Sequence, residues 1–346
     1  MSAVKKILVV RNDKIGDFIL ALPAIQIIKK AFPNAIVTAL VPNYTKDIAQ
    51  SFAWIDEVII DLKDPEKKQE LTTELRERSF DVAICLFSDT YNATLVRQAN
   101  IPIRVAPATK WVQFLYTHTL RQRRSQSRKP EFEYNLDLAR YLINVLGGSY
   151  QAPIEPMFHY GANVLAQQVN KLKEIGISVE RKRCFIHPVT GGSSNTLTLK
   201  QWGVLIVFLD NLDDFHFVVT AGPGEAPISK SLVDSLEDKV KLITLYDKND
   251  GVADFMCSIA TADLFIAGST GPLHIAGAMN VPTIGFYPRK SSATPLRWKT
   301  LNTDNRWLPF TPNEEQNQLA NIDMTTLFED IHDWYKKLII HSSVNN

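Results

Sequence analysis

The chain has 346 residues, 45% hydrophobic and 22% charged, with 38 Lys and Arg against 37 Asp and Glu. This composition excludes disordered and collagen-like classes, and the near-neutral balance gives no general electrostatic reason to bind nucleic acid. The length favours two domains, because a single core stops growing well below it.

Read in chain order, short β-branched runs alternate with longer helical patterns, as in a parallel sheet with crossover helices. The first half offers the strands KKILVV, AIVTALV, DEVIID, DVAICLF and IRVAP, with helices at DFILALPAIQIIKKAF and PEKKQELTTELRER. A long amphipathic pattern, EFEYNLDLARYLINVLGG, stops at Gly147 and Gly148. The stretch SYQAPIEPMFHYG is rich in turn formers and reads as the linker, which sets the expected domains at 1–155 and 156–346.

The second half repeats the pattern with a helix at ANVLAQQVNKLKEIG and strands at RCFIHP, FHFVVTAG, VKLITL, DLFIAG and PTIGFY. Helices are expected at KQWGVLIVFLDNL, PISKSLVDSL, GVADFMCSIATA and GPLHIAGAM. The last pattern, MTTLFEDIHDWYKKLII, has no strand after it and is expected to pack back across the domain boundary. Two doubly wound parallel-sheet domains of the α/β class follow, with ligands at the carboxyl ends of the strands and a cleft between facing domains.

Cys85, Cys184 and Cys257 lie far apart in apolar surroundings without metal-ligand spacing, and read as core thiols of a reducing, cytoplasmic compartment. The first apolar run is too short for a secretion signal, and no run reaches the roughly 18 residues of a spanning helix.

Four strand-to-helix loops carry the candidate chemistry. In VVRNDKIGDFILALP, Asp17 reads either as a helix N-cap or as a general base, ionised at neutral pH from a reference pKa of about 3.9. In IHPVTGGSSNTLTLKQW, Thr190, Gly191, Gly192, Ser193, Ser194 and Lys200 make either a phosphate cradle or a surface loop with a solvated lysine; Gly-Lys-Ser/Thr is missing, so it is no P-loop. In VVTAGPGEAPISK, Pro227 stands where a dinucleotide fingerprint needs its third glycine. Glu225 there would bind ribose hydroxyls or favour the first helical turn. The fourth, IAGSTGPLHIAGAMNVPTIGFYP, sets Ser269, Thr270, Gly271 and His274 at a helix start, with Thr270 and His274 on one face, an arrangement that suits pyrophosphate.

These four loops, in this order, resemble glycosyltransferase family nine, the lipopolysaccharide heptosyltransferases. RNDKIGDFILALPAIQIIKKAFPNAIVTALV is similar to that family's opening, EFEYNLDLARYLINVLGG to its helix before the linker, and GSTGPLHIAGAMNVPTIGFYP to its Thr/Ser-Gly-x-x-His block. The resemblance implies a GT-B architecture: two Rossmann-like domains facing a central cleft, the first binding acceptor and the second the nucleotide sugar. It implies Asp17 as catalytic base, Thr190 and Lys200 on phosphate, Glu225 at the nucleoside, and Thr270, Gly271 and His274 at the pyrophosphate and sugar. It also implies inverting transfer from ADP-heptose to a lipopolysaccharide inner-core acceptor, with no cofactor and no metal.

Ser269 departs from the family, many of whose members carry Asp there. A serine offers one weaker acceptor and a donor where a carboxylate would accept two strong bonds, so donor-sugar identity stays open. The segment TLRQRRSQSRKPEF carries Arg121, Arg123, Arg124, Arg128 and Lys129, either a solvated loop or a contact for acceptor phosphates and anionic lipid at the inner face of the cytoplasmic membrane. Another GT-B nucleotide-sugar enzyme, such as an epimerase, and a non-catalytic sugar-nucleotide binding protein are the alternatives.

Overall fold

The computed structural model describes residues 4–109, 111–190 and 196–344, with side chains to residue 341. Contacts divide the chain into two units, Met1–Met157 and Phe158–Asn346. The first holds the strands β1 (Lys6–Val10), β2 (Ile36–Val41), β3 (Glu57–Ile60), β4 (Val82–Cys85), β5 (Ile103–Pro107) and β6 (His118–Leu120). The second holds β7 (Lys182–His187), β8 (Phe215–Thr220), β9 (Ile243–Tyr246), β10 (Leu264–Gly268), β11 (Thr283–Phe286) and β12 (Trp307–Phe310).

The strands form two six-stranded sheets, ordered β3-β2-β1-β4-β5-β6 and β12-β11-β10-β7-β8-β9. All pairings are parallel. Counted within each unit, both sheets have the same order, 3-2-1-4-5-6. The order reverses between β1 and β4 and between β7 and β10, so the loops leaving these strands diverge and open a ligand position at each sheet. Helices cover both faces, which is why β1, β4, β8 and β10 are apolar runs rather than alternating ones.

The helices of the first unit are α1 (Ile15–Ile19), α2 (Leu22–Ala31), α3 (Lys46–Gln50), α4 (Lys68–Glu77), α5 (Thr90–Gln98) and α6 (Glu131–Val145). The expected single helix over DFILALPAIQIIKKAF is split into α1 and α2. Pro23, at the second position of α2, has no N–H to continue a ladder through Leu20 and Ala21. The Asn135 amide, from α6, donates to the Leu20 carbonyl left over at the break, at 2.9 Å. α5 is not in the sequence reading; Asp89 caps it by accepting from Asn92 N at 2.7 Å.

The second unit contains α7 (Ala162–Glu174), α8 (Leu199–Leu212), α9 (Ala226–Asp234), α10 (Val252–Ala260), α11 (Gly271–Ala278) and α12 (Met324–Val344). α8 starts with a capping box in which Thr198 and Gln201 satisfy each other's ends. Leu327, Ile331, Tyr335 and Leu338 of α12 join the core formed by Trp202, Leu205, Phe215 and Phe217 of the second unit. Two strands escaped the sequence reading. β6 has three residues and β12 contains Pro309, and both are edge strands, where short runs and prolines are tolerated. Cys85 and Cys184 are buried as expected, whereas Cys257 is only half-buried.

Candidate active site

In the first unit the loop leaving β1 places Arg11, Asp13 and Asp17 together. Lys14, not Asp17, is the N-cap residue of α1. The capping alternative for Asp17 therefore fails, because its carboxylate, in the first helical turn, is taken by a side chain instead. Arg11 Nη2 donates to Asp17 Oδ1, and Arg11 Nε donates to Asp13 Oδ1 at 2.9 Å. The same guanidinium reaches the Leu86 carbonyl at 3.2 Å, Asn135 Oδ1 at 3.3 Å and Glu131 Oε1 at 3.6 Å. Arg124 Nη1 holds the same Glu131 oxygen at 2.6 Å.

Arg11 is 2% exposed, and its titration reflects the cluster around it. Burial pulls the guanidinium down, but Asp13, Asp17 and Glu131 outweigh it and hold it above its ordinary range. Burial also pushes Asp13 up to about 6, against the opposing pull of Arg11. Asp17 is pushed up chiefly by burial, opposed by Arg11 and reinforced by the negative charge of Glu131. A carboxylate raised in this way is a stronger base than a free aspartate, and one side of it stays accessible.

The second unit brings its candidate residues to the carboxyl ends of β7, β8 and β10. Gly268 closes β10 against the neighbouring loop: a Cβ there would lie 2.9 Å from Thr190 Cγ2, so only glycine lets the two approach. Thr190 and Thr196 thus sit over the end of β10, where Ser269 N continues the ladder to the Phe286 carbonyl at 2.9 Å. Thr270 is the N-cap residue of α11 and Gly271 its first residue. Among the described residues, three buried polar atoms at this place have no hydrogen-bond partner: Thr196 Oγ1, Thr270 Oγ1 and His274 Nδ1. Burial lowers His274 to about 4, so its imidazole is neutral at pH 7 and offers a dipole rather than a charge. Its ring packs edge-to-face with Trp298, the ring centroids 6.2 Å apart.

Glu225 precedes α9 and is held from two sides. Its Oε2 accepts from Gly222 N at 2.7 Å and lies 3.4 Å from His187 Nε2. A Cβ at Gly222 would be 2.8 Å from that oxygen, so any larger residue there would push the Glu225 carboxylate aside. His187, at the end of β7, is absent from the sequence reading; its signal there was a polar residue closing an apolar run. The pairing of Arg11 with Glu131 was missed because the two come from distant segments.

Of the other expected phosphate-cradle residues, Gly191, Gly192, Ser193 and Ser194 lie outside the described residues. Lys200 is exposed in the first turn of α8, and nothing among the described residues holds its ammonium. Trp202 is core, edge-on to Phe286. In the basic segment Arg121, Arg123 and Arg128 are exposed. Arg124 is committed to Glu131, the Leu86 carbonyl and Gln122, and Lys129 to Asp137. Among the described residues no group of three His, Cys, Asp or Glu is arranged for a metal, and no helix is long and apolar enough to cross a membrane.

Comparisons with known proteins bear on the fold and the family. The chain is 42% identical over 326 residues to a Haemophilus influenzae protein named "Putative glycosyltransferase", covering 93% of this chain and 94% of that one. Its fold is similar to that of Escherichia coli ADP-heptose lipopolysaccharide heptosyltransferase II, with a TM-score of 0.80 at 16% identity over 98% of this chain and 99% of that one. It is also similar to a glycosyltransferase family 9 structure from Veillonella parvula, with a TM-score of 0.77 at 15% identity over 97% and 99% of the two chains. E. coli heptosyltransferase WaaC with ADP gives 0.71 at 16% identity over 95% and 99%. These likenesses carry the α/β, GT-B-like fold. Residues 69–327 match the family model for glycosyltransferase family 9 (heptosyltransferase), a span that includes all the second-unit loops and begins after Asp17. With a match over most of its length, the chain belongs to glycosyltransferase family 9 and is a heptosyltransferase-like glycosyltransferase.

Proposed function

We propose that the protein transfers a heptose from ADP-heptose to a lipopolysaccharide inner-core acceptor, with inversion at the anomeric carbon. The observation that carries the donor half is the trio of orphaned polar atoms at the start of α11, Thr196 Oγ1, Thr270 Oγ1 and His274 Nδ1. Buried polar groups are nearly always paired, so three without a partner among the described residues at one helix N-terminus fit an anionic ligand there. A diphosphate suits them, with Thr190 and Lys200 beside it, Glu225 on the nucleoside, and Ser269, Thr270 and Gly271 towards the sugar. E. coli heptosyltransferase WaaC, similar in fold, has been solved with ADP and with ADP-2-deoxy-2-fluoro heptose, which supports an ADP-linked donor.

In this reading Asp17 takes the proton from an acceptor hydroxyl, whose oxygen attacks the anomeric carbon as ADP leaves. The helix dipole of α11, Lys200 and the two side-chain dipoles act mainly on the growing charge of the leaving group. Thr270→Val and His274→Leu are each expected to lower turnover on the order of a hundredfold. Neither should reduce thermal stability, since each removes a polar atom that is buried without a partner among the described residues. Rates with ADP-heptose together with melting curves check this; variants that melt early and transfer normally would make both residues structural and remove the donor reading. A panel of ADP and UDP sugars tests the donor identity that Ser269 leaves open.

For the acceptor, the exposed Arg121, Arg123 and Arg128 supply positive charge for phosphates of the lipopolysaccharide core and for anionic lipid on the cytoplasmic side of the membrane. Arg124 and Lys129 contribute less, being already paired. At about 1 kcal/mol per basic residue, replacing the three exposed arginines with glutamine is expected to weaken binding to phosphatidylglycerol vesicles about a hundredfold. Sedimentation with vesicles measures it, and an unchanged bound fraction would remove membrane contact from the proposal.

A further inference from the structure

His187 is not used by the reaction as described, yet it is buried at the carboxyl end of β7 beside the donor residues. Its Nδ1 lies 2.9 Å from Thr220 Oγ1, and its Nε2 lies 3.4 Å from Glu225 Oε2. Burial lowers its pKa, only partly opposed by Glu225, so the ring is neutral at pH 7 and carries a single ring proton.

The neighbours decide which nitrogen holds that proton. A lone pair turned towards the Glu225 carboxylate would be repelled by it, so Nε2–H faces the carboxylate. Nδ1 is then an acceptor, and the Thr220 hydroxyl donates to it. The hydroxyl's other acceptor within reach is the Ile186 carbonyl, at 3.2 Å. Choosing that one would leave Nδ1 as the donor and turn the repulsive tautomer towards Glu225.

Thr220 and His187 thus form a line that ends on one oxygen of Glu225, and the Gly222 N–H reaches the same oxygen at 2.7 Å. Oε2 thus accepts from Gly222 N and faces His187 Nε2 at 3.4 Å, while no bond among the described residues engages Oε1. A carboxylate oxygen is an acceptor only, so its ligand must bring a donor. At the end of the second strand of a doubly wound sheet, the donor chemistry that fits is the ribose hydroxyl of a nucleotide.

We propose that His187, whose Nε2–H tautomer is imposed by Glu225 and supported by the Thr220 hydroxyl at Nδ1, is a positioning residue: it fixes Glu225 so that Oε1 accepts from the nucleoside's ribose hydroxyls, and thereby makes the protein prefer ribonucleotides to deoxyribonucleotides. The proposal rests on the donor reading above, in which Glu225 contacts the nucleoside.

The test is calorimetric binding of ADP and 2′-deoxy-ADP to the full chain, with steady-state kinetics on the nucleotide-sugar donor. The wild type is expected to bind ADP about tenfold more tightly than 2′-deoxy-ADP, the size of one charge-assisted hydrogen bond. His187→Phe should remove most of that preference by weakening ADP alone, and should raise KM with kcat little changed. His187→Gln, whose amide N–H falls near the lost Nε2–H, should restore it. Thr220→Val removes only the hydroxyl that supports this tautomer at Nδ1 and should lower the preference several-fold, so it serves where His187→Phe does not fold. Equal loss for both nucleotides in His187→Phe, or a preference unchanged in both His187→Phe and Thr220→Val, overturns the proposal. Glu225→Gln separates the two levels: if it abolishes the preference while the His187 and Thr220 variants keep it, only the positioning role falls. If Glu225→Gln itself leaves ADP affinity and the preference intact, the nucleoside assignment of Glu225 falls first.

Discussion

Asp17→Asn is expected to lower sugar transfer by about a thousandfold, the middle of the range for removing a general base, while ADP affinity stays within a factor of two of the wild type. The asymmetry follows from placement: Asp17 belongs to the first unit, and every group assigned to the nucleotide belongs to the second. Asparagine can still accept from Arg11 Nη2, so the loop after β1 should keep its conformation and the loss should be chemical. Asp13 is the control, because it shares Arg11 and has been pushed up to about 6. If Asp13→Asn stops transfer and Asp17→Asn does not, the base is residue 13. If neither changes the rate, the proton leaves by another route and the mechanism fails. Binding by calorimetry and rates from product release separate these outcomes.

Arg11→Met is expected to have the largest effect on stability. Removing one partner of a buried ionic cluster costs about 3–5 kcal/mol, because the remaining charges stay buried without compensation. Here those charges are Asp13, Asp17 and Glu131, of which Glu131 keeps Arg124. The pH dependence has a definite sign. The folded pKa of Asp13 lies above its ordinary 3.8, so its contribution to stability is complete below 3.8 and is lost as pH rises through about 6. Losing Arg11 removes the force that opposed this shift and moves the loss to higher pH. The deficit of the variant should therefore be largest near pH 8 and shrink as the pH falls through 6. Urea unfolding of both proteins at pH 8 and pH 5 measures it; a deficit that grows on acidification would contradict the arrangement. The acidic limb of the rate profile should also move to higher pH, because Asp17 loses the cation that favours its charged form.

The parts of this protein that were legible in the sequence are those with a local cause. The strand cores such as Ile7–Val10 and Leu264–Gly268 are unbroken apolar runs, and α6 shows its period over fifteen residues before stopping ahead of Gly147. The candidate loops were found because glycine, threonine and histidine clustered just past such runs, at the strand ends where a parallel sheet binds ligands. What escaped had no local cause. β6 and β12 are strands because neighbouring edges accept them, and a run of three residues or one holding proline carries no period-two signal. Asp17 had two readings of equal local merit, and its pairing with Arg11 rejected the cap.

The amino-acid sequence by itself determined the class of fold, the two-part organisation and the family, because apolar periodicity and strand-end motifs are properties of consecutive residues. Only the tertiary structure decided the electrostatic state of the candidate groups. Arg11 meets Glu131 across more than a hundred residues, His187 meets Glu225 from a different strand end, and His274 is neutral because its surroundings are buried. A pKa or a tautomer is set by the charges and dielectric within a few ångströms, and those neighbours come together only when the sheet order brings separate strand ends side by side.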